Sequence, residues 1–212
     1  MSIKIKRPVI NLLDKLYEAI TKPEIVGGWK DNVVGFNGAK GNGTTEPVWG
    51  SSGASGIYAM EFTVGDELFL YYHVLHDYKL KSNVYPHLHF FVDETMTAGQ
   101  QVTWQLKYVE ALGYVQGDSL STPVGDTITL TYTATGNEVA GEHIILECSD
   151  VQAFPHKDID AILMMSIELI SENVSGSIFG VMCDIHYESD GSITKQRNGL
   201  LGEWVKNIWG RL

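Results

Sequence analysis

Four of the seven histidines fall between His73 and His89, in the runs His73-Val-Leu-His76-Asp77-Tyr78 and Tyr85-Pro86-His87-Leu88-His89-Phe90. An imidazole can ligate a first-row metal, carry a proton near neutral pH, or hydrogen-bond at both ring nitrogens. His87 and His89 are two apart, so an extended strand puts both on one face. Asp184 and His186 repeat that spacing later in the chain. A mononuclear site built from His87, His89 and His186 needs their strands to be neighbours, which spacing does not establish. The commoner use of such histidines is structural, as imidazoles hydrogen-bonded across strands or under a turn. That use is the reading adopted here, so neither a metal nor another cofactor is expected.

With Glu94 the first pair reads H-x-H-x4-E. This resembles the first metal motif of cupins, where imidazoles and a carboxylate hold one ion inside a β-barrel. Lys81 stands where that motif has a glycine, and neither Pro155-His156-Lys157 nor Asp184-Ile185-His186 supplies the second motif. A cupin-like metal enzyme is therefore the lesser alternative. The sequence has no G-x-S-x-G, P-loop or Rossmann glycine pattern. Asp93/Glu94 and Asp158/Asp160 fall in turn-like segments and read as solvated loop charges. The chain is expected not to be an enzyme.

Strands must hold these residues. Runs rich in β-branched and aromatic residues, separated by Gly, Pro, Asn, Asp and Ser, predict strands at Ile57–Thr63, Glu67–Leu75, Val84–Val92, Gln101–Val109, Thr127–Ala134, His143–Cys148, Ala161–Leu169 and Ser177–Tyr187. A shorter strand is expected at Asn32–Phe36, and Gly35 to Ser55 reads as one long loop. With no helices between the strands, the fold class is all-β: an antiparallel sandwich, jelly-roll-like, of 8-9 strands. Residues 25–194 form this domain.

Residues 1–24 read as a helical arm, with Leu12, Leu13 and Leu16 on one stripe. Residues 195–212 read as a second amphipathic segment, in which Leu200, Leu201, Trp204, Val205, Ile208 and Trp209 share a face. Both stripes are expected to dock, either back on the chain's own domain or as assembly contacts on a neighbouring subunit. Cys148 and Cys183 sit in apolar runs outside any CxxC or Cys/His cluster and read as buried free thiols.

The chain has 212 residues, 44 % hydrophobic and 19 % charged, which suits a folded core. Lys and Arg number 15 against 26 Asp and Glu, a formal net charge of −11. Such a surface argues against nucleic acid and against anionic membranes as partners. The first ten residues lack an apolar h-region, so synthesis in a cytosol is expected. Exposed members of the set Tyr58, Phe62, Phe69, Tyr71, Tyr72, Tyr85, Phe90, Phe91, Trp104, Tyr108 and Tyr114 could line a sugar-binding face. The commoner use of strand aromatics is packing.

Four runs carry a family resemblance: Phe69-Leu-Tyr-Tyr-His-Val-Leu, His76-Asp-Tyr-Lys, Val84-Tyr-Pro-His-Leu-His-Phe and Val102-Thr-Trp-Gln-Leu-Lys-Tyr. With the late Asp184-Ile-His-Tyr, they resemble a family of uncharacterised bacteriophage virion proteins over about Ile57 to Ser189. The sequence departs from the family at Leu75, often proline there, and at Phe90, often tryptophan. The resemblance implies a jelly-roll subunit of the virion, made in the host cytoplasm, that decorates or cements the capsid or belongs to the tail. It implies self-association, with a homotrimer expected, and contact with major capsid or tail proteins. Under it, His76, Asp77 and Tyr78 close a corner, and Tyr85 and Pro86 begin a stiffened strand. His87 and His89 then hydrogen-bond within the sheet or around a symmetry axis. A carbohydrate-binding fibre or receptor-binding module is the main alternative.

Overall fold

Apolar and polar residues alternate through much of the chain, which gives each strand one face for a core. The computed structural model describes residues 27–53, 56–112, 127–149, 154–155 and 161–191. Among them the strands are β1 (Gly28–Gly35), β2 (Lys40–Gly41), β3 (Val48–Ser52), β4 (Ile57–Phe62), β5 (Glu67–His73), β6 (Asn83–Val92), β7 (Gln101–Leu112), β8 (Ile128–Thr133), β9 (Ile144–Glu147), β10 (Phe154–Pro155), β11 (Ala161–Glu172) and β12 (Ile178–Ser189). A 3-10 turn at Phe36–Gly38 follows β1.

All pairings are antiparallel and form two sheets. In the first, β6 and β12 are the central pair; β9 and β10 flank β6 end to end, β1 and β4 flank β12, and β3 adds to β4. The second runs β2-β5-β11-β7-β8. The order β4-β12-β6-β9 in one sheet and β5-β11-β7-β8 in the other is that of a jelly roll, with the chain repeatedly crossing between sheets.

The inward residues of both sheets make one core. Leu88 and Phe90 on β6, Trp104 and Leu106 on β7, Ile167 and Leu169 on β11, and Cys183 on β12 are fully buried. Trp104 meets Phe62 edge-on, with ring centroids 4.9 Å apart. Its Nε1 is the one buried side-chain nitrogen or oxygen without a hydrogen-bond partner among the described residues. An unpaired N–H costs about 1–3 kcal/mol. Burial of some 200 Å² of indole gives back about 5 kcal/mol, so packing decides the position. Cys148 and Cys183 are buried free thiols, and burial pushes the Cys183 thiol up to about 12.

Three expectations need correction. Gly35 to Ser55 is not a single loop, because β3 pairs with β4 from Val48↔Glu61 to Ser52↔Ile57. Several strands also run past their apolar stretch: β7 reaches Leu112 and β11 reaches Glu172, since ladder hydrogen bonds rather than apolarity set the ends. Pro86 lies within a central strand rather than at its start. Its carbonyl accepts from Cys148 N at 3.3 Å, so its missing N–H faces that same side. There β10 has ended at Val84 and β9 begins at His87, so no ladder bond is lost. The two terminal stripes, Leu12, Leu13, Leu16 and Leu200, Leu201, Trp204, Val205, Ile208, Trp209, lie outside the described residues, as do Tyr114, His156, Asp158 and Asp160.

Candidate functional site

The His76-Asp77-Tyr78 corner follows β5 and ties down the ends of β1 and β12. Asp77 accepts from Ser189 Oγ at 2.8 Å, from the Tyr187 hydroxyl at 3.1 Å, and from Lys30 Nζ. Tyr78 is fully buried; its hydroxyl donates to the Ser82 carbonyl and its backbone bridges to Ser189. Burial alone would raise the Asp77 carboxyl. The bonds from Lys30, Ser189 and Tyr187 outweigh it and hold the group below the usual carboxylate range.

A second polar group lies on the opposite face of β6 from Leu88 and Phe90. His87 stands across from Asp184 in the β6–β12 register, and His89 across from Met182. His89 is held at both nitrogens: Nδ1 is 2.9 Å from His143 Nε2, and Nε2 is 3.0 Å from Asp184 Oδ1. The His87 and His186 rings lie 3.6 Å apart at their centroids, and His186 Nε2 contacts Asp31 on β1. Burial pushes the His186 imidazole below its ordinary pKa. The donor atoms of His87, His89 and Asp184 fall within 4.8 Å of one another, as do those of Asp31, Asp184 and His186.

Adjacent strands thus bring together His87, His89 and His186, whereas His73 and His76 pair with each other elsewhere, with rings 6.3 Å apart. Tyr85 meets Trp29 edge-on at 5.5 Å. Glu94 is exposed in the bend after β6. The histidines face away from the sandwich core, so the cupin arrangement of an ion inside a barrel is not formed. His143 and Asp31 carry no sequence motif; register alone delivers them.

Two surface depressions complete the candidates. One, of about 310 Å³, lies along the β3–β4 hairpin and is lined by Trp49, Tyr58, Met60, Asn37 and the backbone at Gly35 and Gly180. Trp49 is 53 % and Tyr58 63 % exposed. The other, of about 420 Å³, crosses the outer face of β5, β11 and β7 and is lined by Phe69, Tyr71, Val109, Met164, Ser166 and Lys107. The first pairs the exposed aromatic faces of Trp49 and Tyr58 with the amide of Asn37. The second sets the rings of Phe69 and Tyr71 beside the thioether of Met164 and the Lys107 ammonium.

No family model and no curated protein matches the sequence. Among solved structures the chain is similar in fold to the CBM36-1 domain of a multidomain xylanase from the hindgut metagenome of Trinervitermes trinervoides, at 8 % identity and TM-score 0.44 over 74 % of this chain and 96 % of that one. It is similar also to a CBM36 carbohydrate-binding module in complex with calcium and xylotriose, at 11 % identity and TM-score 0.40 over 73 % and 98 %. A third likeness is TmCBM61 in complex with β-1,4-galactotriose, at 14 % identity and TM-score 0.30 over 76 % and 86 %.

Proposed function

We propose that this jelly roll is a non-catalytic carbohydrate-binding module whose sugar platform is the Trp49–Tyr58 groove. The observation that carries the reading is two large aromatic side chains, 53 % and 63 % exposed, lining one groove. Folding gains little from aromatic surface left in water. A pyranose ring has a flat face of C–H groups that stacks on indole or phenol, while its hydroxyls need hydrogen-bonding partners. Asn37, exposed beside the rings, can supply them. The net charge of −11 directs the module to neutral or cationic glycans rather than acidic ones. A glycan array tests this: the wild type binds a discrete set of neutral saccharides, and Trp49→Ala/Tyr58→Ala loses roughly tenfold or more of that affinity, about 1.4 kcal/mol. Silence of the wild type across the array sinks the reading.

A second reading has its own support. Trp29, Val33, Val48 and Ile57 are all more than half exposed and sit on β1, β3 and β4, along one margin of the first sheet. Apolar edges of this kind are usually covered by a neighbour. With the family resemblance, this favours a subunit of a phage particle, in the capsid or the tail, that associates with itself as a trimer. Sedimentation of the purified chain and its binding to empty capsids or tails test that reading; a monomer without affinity for either contradicts it. A sugar-binding virion subunit satisfies both.

A further inference from the structure

His87, His89 and Asp184 are 5 %, 8 % and 5 % exposed, so a carboxylate and two imidazoles are withdrawn from water together. Burying an ionised carboxylate is costly unless it is well paired. Asp184 has His89 Nε2 at 3.0 Å on one oxygen and His186 Nε2 at 3.8 Å from the other. Two donors bound to one zinc ion at about 2.0–2.1 Å and a tetrahedral angle sit about 3.3 Å apart. Within the triad His89 and Asp184 stand 3.0 Å apart and all three donor atoms lie within 4.8 Å of one another, close enough for small shifts to close them on one ion. His87 faces Glu147 Oε1 at 3.8 Å, beyond hydrogen-bonding distance. His89 presents Nε2 to the cluster while its Nδ1 is fixed by His143 at 2.9 Å. Metal-bound imidazoles are commonly held through their other nitrogen in this way.

We infer that His87, His89 and Asp184 bind one divalent first-row transition-metal ion, with Zn²⁺ the best fit. Two imidazoles and one carboxylate without a thiolate suit this class; Ca²⁺ and Mg²⁺ take oxygen ligands. His143 is a positioning residue that orients the His89 ring. His186 and Asp31 stand at the more exposed side, where a fourth ligand enters. The ion clips β6 to β12 at the centre of one sheet and is independent of the sugar groove at β3–β4.

The experiment uses the full chain, stripped by chelator and dialysed against Zn²⁺, with Co²⁺ titrated separately for its visible d–d bands. The wild type takes up one ion per chain, and its thermal midpoint rises with Zn²⁺. His87→Gln/His89→Gln abolishes uptake, His143→Gln weakens it about 10–100-fold, and His73→Gln/His76→Gln binds as the wild type does. If the double variant fails to fold, Asp184→Asn, which keeps side-chain volume, is read instead. Absence of saturable uptake by the wild type overturns the proposal, as does undiminished uptake by the folded variant.

Discussion

Asp77 gathers hydrogen bonds from Lys30, Tyr187 and Ser189, residues brought to the corner from the two ends of the described chain. The folded carboxyl titrates below its unfolded value of about 3.9. The stability it contributes is therefore fully present above that value and is lost as pH falls through the folded pKa. Asp77→Asn keeps the shape, removes the charge and turns an acceptor toward donating groups. We expect it to lower stability by about 1–3 kcal/mol at neutral pH and to flatten the acid limb of the stability curve. Urea titrations between pH 3 and 7 check both (roughly the window around the unfolded carboxylate). Equal destabilisation at every pH would assign the loss to packing instead. Glu138 is a similar case: the Tyr132 hydroxyl donates to it at 2.6 Å and the backbone of Thr135 and Gly136 at 2.8 Å each. These bonds hold its carboxyl well below the usual range. At this scale the sequence exposed His87, His89, Asp184 and His186 through their two-residue spacing. It gave no sign of His143 or Asp31, because contacts made 54 residues apart, as between His89 and His143, depend on register alone.

Element by element, the legible strands were those that bury every second residue. On β8, Ile128 and Leu130 point inward while threonines point out, so periodicity alone finds it. The strand β3 was invisible for the opposite reason: of Val48 to Ser52 only Gly50 is buried. An edge hairpin that buries a glycine leaves no apolar period to read. The bulge in β12 was equally hidden. Register shifts between Gly180 and Met182, which lets Gly180 and Cys183, three apart, both face the core. A Cβ on Gly180 would lie 2.5 Å from Phe36 Cε2 and 2.7 Å from Phe62 Cε2. Gly180→Ala is therefore expected to cost about 1–3 kcal/mol through overpacking, read as a lower urea midpoint at unchanged m-value. No loss of stability would mean that the two rings yield freely and that the core at this end is loose.

For the whole molecule, the jelly-roll order follows from alternation and turn placement, and so it was accessible from sequence. The proposed sugar platform was accessible only in part, through Tyr58. Trp49 and Tyr58 belong to a hairpin whose pairing was unseen, and exposure of an aromatic is a property of the folded assembly of strands. The same margin exposes Val48 and Ile57 at 62 % and 66 %. Val48→Lys/Ile57→Lys places charge on that edge and is expected to leave thermal stability within about 0.5 kcal/mol of the wild type. In sedimentation it shifts any trimer toward monomer; a trimer that persists unchanged would place the interface elsewhere.

Sugar recognition by the groove is decided by affinity electrophoresis of the folded chain in native gels cast with neutral soluble polysaccharides. Retardation in at least one gel, and migration of Trp49→Ala/Tyr58→Ala as in a plain gel, is the expected result. A wild type that runs unretarded throughout, or a double variant retarded equally, contradicts the assignment.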